Sequence, residues 1–450
     1  MVLAVILLAF SVRGLTFLFM RAHLNDAGWF QFGSYSVFDR QARAINNGEQ
    51  NLFWISDSSR TDQAQYPPAF PVLIAIIYKI SGNQSAYAVQ TFQAIVDFVL
   101  SLVLITGITV TAFGWRAALG ASVLAGLSPL LALYSAYPSA DVPTAWFVLG
   151  GAWLLLLAAK RNDLLMALGA GILLGVACWF RVQPLYLCAG WAVALILFTK
   201  VKLKRRLTLG ATVLAGTALI IAPIVIRNYL VFPDFTPTGG TIGVNLWEGL
   251  GETTLGQQNG FLFGDNNLIE HERRKLGLPP DFKLELQWPD GIRRDKERVR
   301  ESVSFIKQHP VWYAGVMVHR MWGMLKVAGE PLPYYGTSGI NVTPQKCLPP
   351  NLQGGVTSLA VTILGMIQSV TRYLLLPLIA LGIYFCFRRN FMTTCLLLVT
   401  VLYYLVPGTV GHTEIRYMLP MHALLIVFGG ECLGRLTAKT RRALRSEPGA

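Results

Sequence analysis

The sequence predicts an all-α polytopic membrane protein, and three observations carry that prediction. Residues of the AVILMFWYC set make up 53% of the 450-residue chain, while Asp, Glu, Lys and Arg make up only 14%. A soluble domain carries about 25% charged residues. The apolar residues gather into stretches close to the ~20 residues that a spanning helix requires. The positive charge, 38 − 24 = +14, falls in short loops between those stretches, where Lys and Arg set membrane orientation instead of binding nucleic acid. A cytosolic enzyme, a secreted disulfide scaffold and a disordered chain are excluded.

Ten spans are expected: Val2–Met20, Tyr87–Phe113, Ala117–Tyr134, Val142–Ala158, Leu164–Phe180, Leu185–Thr199, Leu207–Ile226, Gly365–Phe387, Phe391–Val406 and Met418–Leu433. Arg116, Lys160, Arg161, the run from Lys200 to Arg206, Arg388 and Arg389 then share one side with the tail that holds Arg435, Lys439, Arg441, Arg442 and Arg445. That side carries fifteen basic residues, whereas the opposite short loops, Ser135–Asp141, Arg181–Pro184 and Pro407–Arg416, carry two. The basic side is expected to be cytoplasmic, with both termini inside. Making a span of Tyr66–Ile80 or Val311–Val327 would export the basic tail, so both are expected to be juxtamembrane helices sunk in the interface. Val356–Phe387 is long for one span, about 46 Å as a continuous helix, and is expected to tilt or break near Arg372.

Two large segments lie on the outer side, from Arg21 to about Ser85 and from Arg227 to about Gly355. Between Gly260 and Pro310 the second holds ten basic and nine acidic residues, a solvated balance and not a nucleic-acid patch. Asp290-Gly291 can open a helix on which Ile292, Val299, Val303 and Ile306 form one apolar stripe. The first span lacks a basic n-region and an A-x-A site and is interrupted by Arg13, so it is expected to be retained. Because the chain opens directly on an apolar residue, further sequence upstream is expected. Of six cysteines only Cys347 lies clearly outside the spans, and a lone outer cysteine closes no disulfide within its loop.

The chain has no G-x-x-x-x-G-K-[ST], H-E-x-x-H, C-x-x-C or G-x-S-x-G motif. Gly169, Gly171 and Gly175 read as small residues at a helix contact. What remains is a set of polar groups on the outer side: Asp26 and Asp39 after the first span, Asp141 at the mouth of another, and Arg181 in a tight hairpin. Arg227 and Asn228 end a span, and His412, Glu414, Arg416 and Tyr417 precede the last one. A carboxylate can take the proton of an attacking hydroxyl, and an arginine fork can hold a phosphate and stabilise its charge as it leaves. Each residue also has a plainer reading. Asp39 can be a solvated loop aspartate, Asp141 a helix N-cap, and Arg181 and Arg227 interfacial anchors. His412 and Glu414 can be a loop ion pair. Asp97 and Arg13 can be contacts between helices or can line the cavity.

Taken in order, these pieces resemble a family. Phe38-Asp39-Arg-Gln-Ala42 with Gly48, Tyr66-Pro-Pro-Ala-Phe-Pro71, Ser139-Ala-Asp141, Gly175-Val-Ala-Cys-Trp-Phe-Arg181, Arg227-Asn-Tyr229, Asn245-Leu-Trp-Glu-Gly249 and His412-Thr-Glu-Ile-Arg-Tyr417-Met-Leu-Pro420 run nearly end to end. The chain resembles the GT-C polyprenyl-phosphate-dependent glycosyltransferases, close to family 39 of protein mannosyltransferase-like and aminoarabinose-transferase-like enzymes. Many relatives place the first acid where this chain has Ser34 and Tyr35, and a glutamate where it has Asp141.

The resemblance implies a GT-C fold of about ten membrane helices with juxtamembrane helices and two large extracytoplasmic loops. A seven-span module would occupy residues 1–230, including the first loop at 21–86. A large outer loop would follow at 231–355, C-terminal membrane helices at 356–434 and a basic cytoplasmic tail at 435–450. It implies acidic sites that Asp39 and Asp141 match, and with them catalytic roles are expected for Asp39 and Asp141, donor-phosphate contacts from Arg181, Arg227, Arg416 and His412, and a pocket lined by Asp26, Tyr66, Asn228, Glu414 and Tyr417. A divalent cation, if one takes part, would sit at Asp39 and Asp141. The implied partners are a polyprenyl-phosphate sugar donor, a lipid, glycan or protein acceptor, and the bilayer of the inner (cytoplasmic) membrane, with the active site extracytoplasmic. The rival reading is a transporter or flippase of a lipid-linked saccharide, which would favour paired repeats and midplane charges.

Overall fold

The computed structural model describes residues 2–24, 34–49, 67–232, 234–236, 239, 241–325, 343–347 and 353–446; Asp26 and Tyr66 fall outside them. Among the described residues there is no strand, only an isolated bridge between Glu285 and Trp288. Helices occupy all ten expected positions. Five of them, Ala86–Phe113, Asp141–Arg161, Leu203–Val231, Phe391–Thr409 and Ile415–Thr437, are long and apolar enough to cross a membrane, and a bent pair adds a sixth. The protein is an all-α polytopic membrane protein, although the full expected length is not reached at every position.

The bent pair replaces the straight span expected at Ala117–Tyr134. Trp115–Leu127 and Pro129–Ala136 meet at 58°. Pro129 excludes the helical conformation from the residue before it, and Ser128 is accordingly extended, at φ −68° and ψ 112°. Its hydroxyl accepts from the Leu131 amide and starts the second helix. The span expected at Leu185–Thr199 is a helix only over Leu187–Phe198, because the chain from Arg181 to Tyr186 is spent on turns. Of the tilt or break expected near Arg372, the break is absent: Gly355–Arg389 is one helix of 35 residues, with Pro377 inside it. Tyr66–Ile80 and Val311–Val327 contain helices at Ala69–Ser81 and Pro310–Leu325.

Small residues set the helix contacts. A Cβ on Gly175 would lie 2.6 Å from Ile220 Cβ, and one on Gly216 would lie 2.6 Å from Leu168 O. The helices Leu164–Phe180 and Leu203–Val231 therefore approach backbone to backbone, as the glycine spacing predicts. Buried polar groups join other helices: Arg13 donates to Asp97 (2.7 Å) and Ser101 (2.9 Å), Trp146 Nε1 donates to Asp97 (2.8 Å), and Trp191 Nε1 donates to Thr400 (2.8 Å). For Asp97 and Arg13 the interhelical reading thus holds. The five described cysteines are unpaired thiols; the Cys347 side chain lies outside what is described.

The helix from Gly291 to Gln308 forms where expected, but on a different buried face. Ile292 is buried together with Arg294, Asp295, Arg298, Ser302 and Phe305, whereas Val299, Val303 and Ile306 are half-buried. The cause is Glu272, which draws in Arg294 (2.6 Å) and Arg298 (2.7 Å). Paired arginines can be buried where lone ones cannot.

Candidate active site

The Asp141–Arg161 helix begins at one end of the bundle and finishes about 30 Å away at Lys160 and Arg161. The second end is basic: there Arg389 and Arg435 meet Glu431 and Arg205 binds Asn162. Among the described residues, the sequence-predicted Asp141, Arg181, His412, Glu414, Arg416 and Tyr417 collect at the Asp141 end.

Their approach is built by Gln93, which is fully buried. Its amide donates to Tyr137 O (2.6 Å) and its Oε1 accepts from the Ser139 amide (3.1 Å), which fixes the loop before Asp141. The helix N-cap is Ala140, so Asp141 is not the cap but the first helical residue. Its carboxylate is free to turn sideways. It accepts from Ser139 Oγ (2.5 Å) and Arg181 Nη2 (3.0 Å), and its second oxygen lies 2.9 Å from Arg181 Nε. Arg416 Nε stands 3.9 Å from the same carboxylate, is buried, and has no hydrogen-bond partner among the described residues. Both guanidiniums rest on the Tyr417 ring, at 5.2 and 5.3 Å from its centroid.

From Arg416 the charges alternate outward. Arg416 Nη2 donates to Glu414 Oε1 (2.5 Å), Glu414 lies 3.6 Å from His412 Nε2, and His412 Nδ1 lies 2.5 Å from Glu252 Oε1. Glu252 in turn meets Arg320 (3.3 Å), whose guanidinium also donates to Gly249 O (2.5 Å) and Thr409 O (3.3 Å). Burial alone would take the proton from His412, but Glu252 and Glu414 hold it there and raise its pKa to about 10. Burial likewise opposes ionisation of Glu414, yet Arg416 and His412 bring it down to about 2. For Arg181, burial is outweighed by Asp141, so the guanidinium stays charged. Nearby, burial next to Asp265 lifts Glu248 to about 7.

Asp39 sits on the helix Ser34–Asn46. Tyr35, Phe38 and Ala42 of that helix face Phe70, Ile74 and Tyr78, with Phe38 edge-on to Phe70 at 5.2 Å. The same apolar cluster takes in Ala140 and Phe180, the neighbours of Asp141 and Arg181. Asp39 is thereby anchored at the Asp141 end, although the described contacts do not join the two carboxylates. Its oxygens accept from Tyr78 OH (2.5 Å) and Arg43 Nε (2.9 Å), and its side chain remains 25% exposed. That exposure leaves a carboxylate edge open to a substrate.

The described contacts of Arg227 are with Asn228 Oδ1 (2.6 Å) and the Phe232 ring (5.9 Å), not with the Asp141 group; Asn228 donates on to Thr236 O. Among the described residues no three His, Cys, Asp or Glu side chains are placed to hold a metal ion. The Asp141 setting does not fit a cation, since two guanidiniums already supply its positive charge. Sequence reasoning missed Gln93, Glu252 and Arg320. Arg320 is hidden in an apolar run, and Glu252 and Gln93 belong to no motif.

Residues 65–226, rather more than a third of the chain, match the family model described as dolichyl-phosphate-mannose-protein mannosyltransferase. No curated protein sequence matches. Among solved structures the chain is similar to the oligosaccharyltransferase AglB from Archaeoglobus fulgidus, in complex with an inhibitory peptide and a dolichol-phosphate. The TM-score is 0.49 at 16% identity, over 98% of this chain and 52% of that one. The chain therefore spans about half the length of that protein. It is also similar to ArnT from Cupriavidus metallidurans, bound to undecaprenyl phosphate, with a TM-score of 0.36 at 14% identity, over 91% of this chain and 74% of that one. The family-model match runs from the helix Ala69–Ser81 into the helix Leu203–Val231, the stretch that carries Asp141 and Arg181.

Proposed function

We propose that this protein transfers a sugar from a polyprenyl-phosphate-linked donor to a hydroxyl of a lipid, glycan or protein, at the extracytoplasmic face of the inner membrane. The observation that carries the reading is the meeting of Arg181 and Arg416 at one carboxylate, with a buried Arg416 donor left over. A buried N–H without a partner costs about 1–3 kcal/mol, a cost that an incoming phosphate oxygen would relieve.

In this scheme Asp39 takes the proton of the acceptor hydroxyl. The acceptor oxygen bonds to the anomeric carbon with inversion as the bond from that carbon to the phosphate oxygen breaks. The prenyl phosphate keeps the electron pair, and its added charge falls on Arg181, Arg416 and the His412 imidazolium, with Arg227 supporting from its seat on Asn228. Asp141 orients Arg181, Tyr417 presents a flat face to both arginines, and Glu414 keeps Arg416 in place. Asp26 and Tyr66 would complete the wall from the first loop.

Incubating the purified protein with a panel of prenyl-phosphate sugars and measuring released prenyl phosphate tests the reading. Release that depends on acceptor supports it. Movement of a labelled lipid or solute without a new glycosidic bond would replace it with transport.

A further inference from the structure

The outer segment from Ile242 to Leu325 is attached to the last hairpin by one compact junction. His412 N donates to Asn245 O (2.6 Å), and a Cβ on Gly249 would lie 2.6 Å from His412 N. Only glycine admits that approach. Across the junction runs Glu252, buried at 5% exposure, with one oxygen on His412 Nδ1 and the other facing Arg320, itself fully buried. Three segments far apart in sequence thus converge on one carboxylate.

We infer that Glu252, held in place by Arg320, is a positioning residue: it keeps His412 doubly protonated, with Nε2–H turned toward Glu414, and so makes the outer segment a working wall of the phosphate site. A hydrogen bond at Nδ1 decides what the second ring nitrogen can do. With the Glu252 carboxylate on Nδ1 and the Glu414 carboxylate, which grips Arg416, 3.6 Å from Nε2, each ring nitrogen faces an acceptor, and only the doubly protonated ring offers a donor to both. Arg320 cannot turn away, because its guanidinium is also committed to Gly249 O and Thr409 O. The charged and titratable groups facing His412 are Glu248 from the helix Ile242–Gly251, Glu252 just past its end, Asp265 at the start of the helix Asp265–Lys275, and Glu414 from its own hairpin. Arg320 lies behind Glu252, and Arg416 behind Glu414. The phosphate half of the inference rests on the proposed transfer reaction; the protonation half does not.

Imidazole NMR of the full-length protein with labelled histidine separates the two. In the unaltered protein His412 should carry protons on both nitrogens at pH 8.5; a neutral His412 there overturns the inference with no variant needed. Glu252→Gln keeps the shape and an oxygen for Arg320 but removes the charge. His412 should then titrate near neutrality, and prenyl phosphate release should fall about tenfold between pH 6 and pH 8.5, with most activity recovered at pH 6. Glu252→Asp should restore the alkaline limb. A loss in Glu252→Gln that is equal at every pH, with His412 titrating as before, would leave Glu252 a structural residue only and overturn the assignment. An unaltered protein that releases nothing at any pH would overturn the transfer reading, while the NMR titration would still decide the protonation.

Discussion

Asp39 and Asp141 are both aspartates at one end of the bundle, yet their surroundings differ. Asp39 has one donor on each oxygen and a quarter of its side chain open; Asp141 is shut in, with both oxygens on Arg181. Asp39→Asn should lower prenyl phosphate release by about 100-fold or more, the usual contribution of a general base, without changing membrane insertion. Full activity in that variant would reject the role. Asp141→Asn instead leaves two guanidiniums side by side without their carboxylate. Breaking a buried pair costs about 3–5 kcal/mol, so this variant should lose both activity and thermal stability. Arg181→Lys should also be impaired, because a lysine cannot span both carboxylate oxygens. The charge chain further fixes a pH dependence. Glu414 is depressed to about 2, so its contribution to stability is present above its unfolded value and is lost as pH falls from about 4.5 toward 2. His412 is raised to about 10, so its contribution is complete below about 6.5 and is lost as pH rises toward 10. Melting temperatures should therefore decline on both flanks, and His412→Gln should flatten the alkaline one; an unchanged alkaline slope in that variant would refute the ion chain.

Helices and their contacts were legible wherever a short-range pattern governs them. The glycines of Leu164–Phe180 announce a close contact, and Leu203–Val231 supplies the partner. Gly175→Leu should drive a side chain into Ile220 and cost about 3 kcal/mol, the upper end of ordinary overpacking, seen as a lower melting temperature in detergent. An unshifted melt would mean that the two helices do not approach as described. Pro129 is equally legible as a break, although hydropathy averaged over Ala117–Tyr134 hides it, since the residues on either side of the kink are equally apolar. The helix Gly291–Gln308 shows where pattern reading fails. Counting Arg294 and Arg298 as solvent-facing selects the face of Val299 and Val303, because nothing nearby in sequence reveals that Glu272 waits more than twenty residues upstream. Glu252 and Arg320 fail for the same reason: their partners lie 160 and 68 residues away, and only folding brings them together.

For the whole chain, the two ends of the bundle differ in how charge is organised, and that difference bears on its direction in the membrane. At one end the cations are numerous and loosely held: Arg389 and Arg435 are each 44% exposed although both touch Glu431. At the other end Arg181 and Arg416 are each locked to a carboxylate and a ring. Loose cations beside short loops resist translocation, whereas cations neutralised in a folded site do not report on orientation. Of the two segments able to reverse this assignment, Ala69–Ser81 and Pro310–Leu325, the second would change the parity of every later span if it crossed the bilayer. Its Arg320 argues against a crossing in lipid, since the guanidinium is fully buried on protein groups, Gly249 O, Thr409 O and Glu252. That helix is docked on the hairpin that holds His412. We expect the residues after Ser446 to be cytoplasmic and the Asp265–Lys275 helix to face the other side. A reporter that fluoresces only in the cytoplasm should light up at the C-terminus. A single cysteine at Asn267, exposed on its helix, should react in intact spheroplasts with a thiol reagent that cannot cross the membrane. Labelling of that cysteine only after lysis would place Asp141 and its arginines on the cytoplasmic side and require the donor to be bound there.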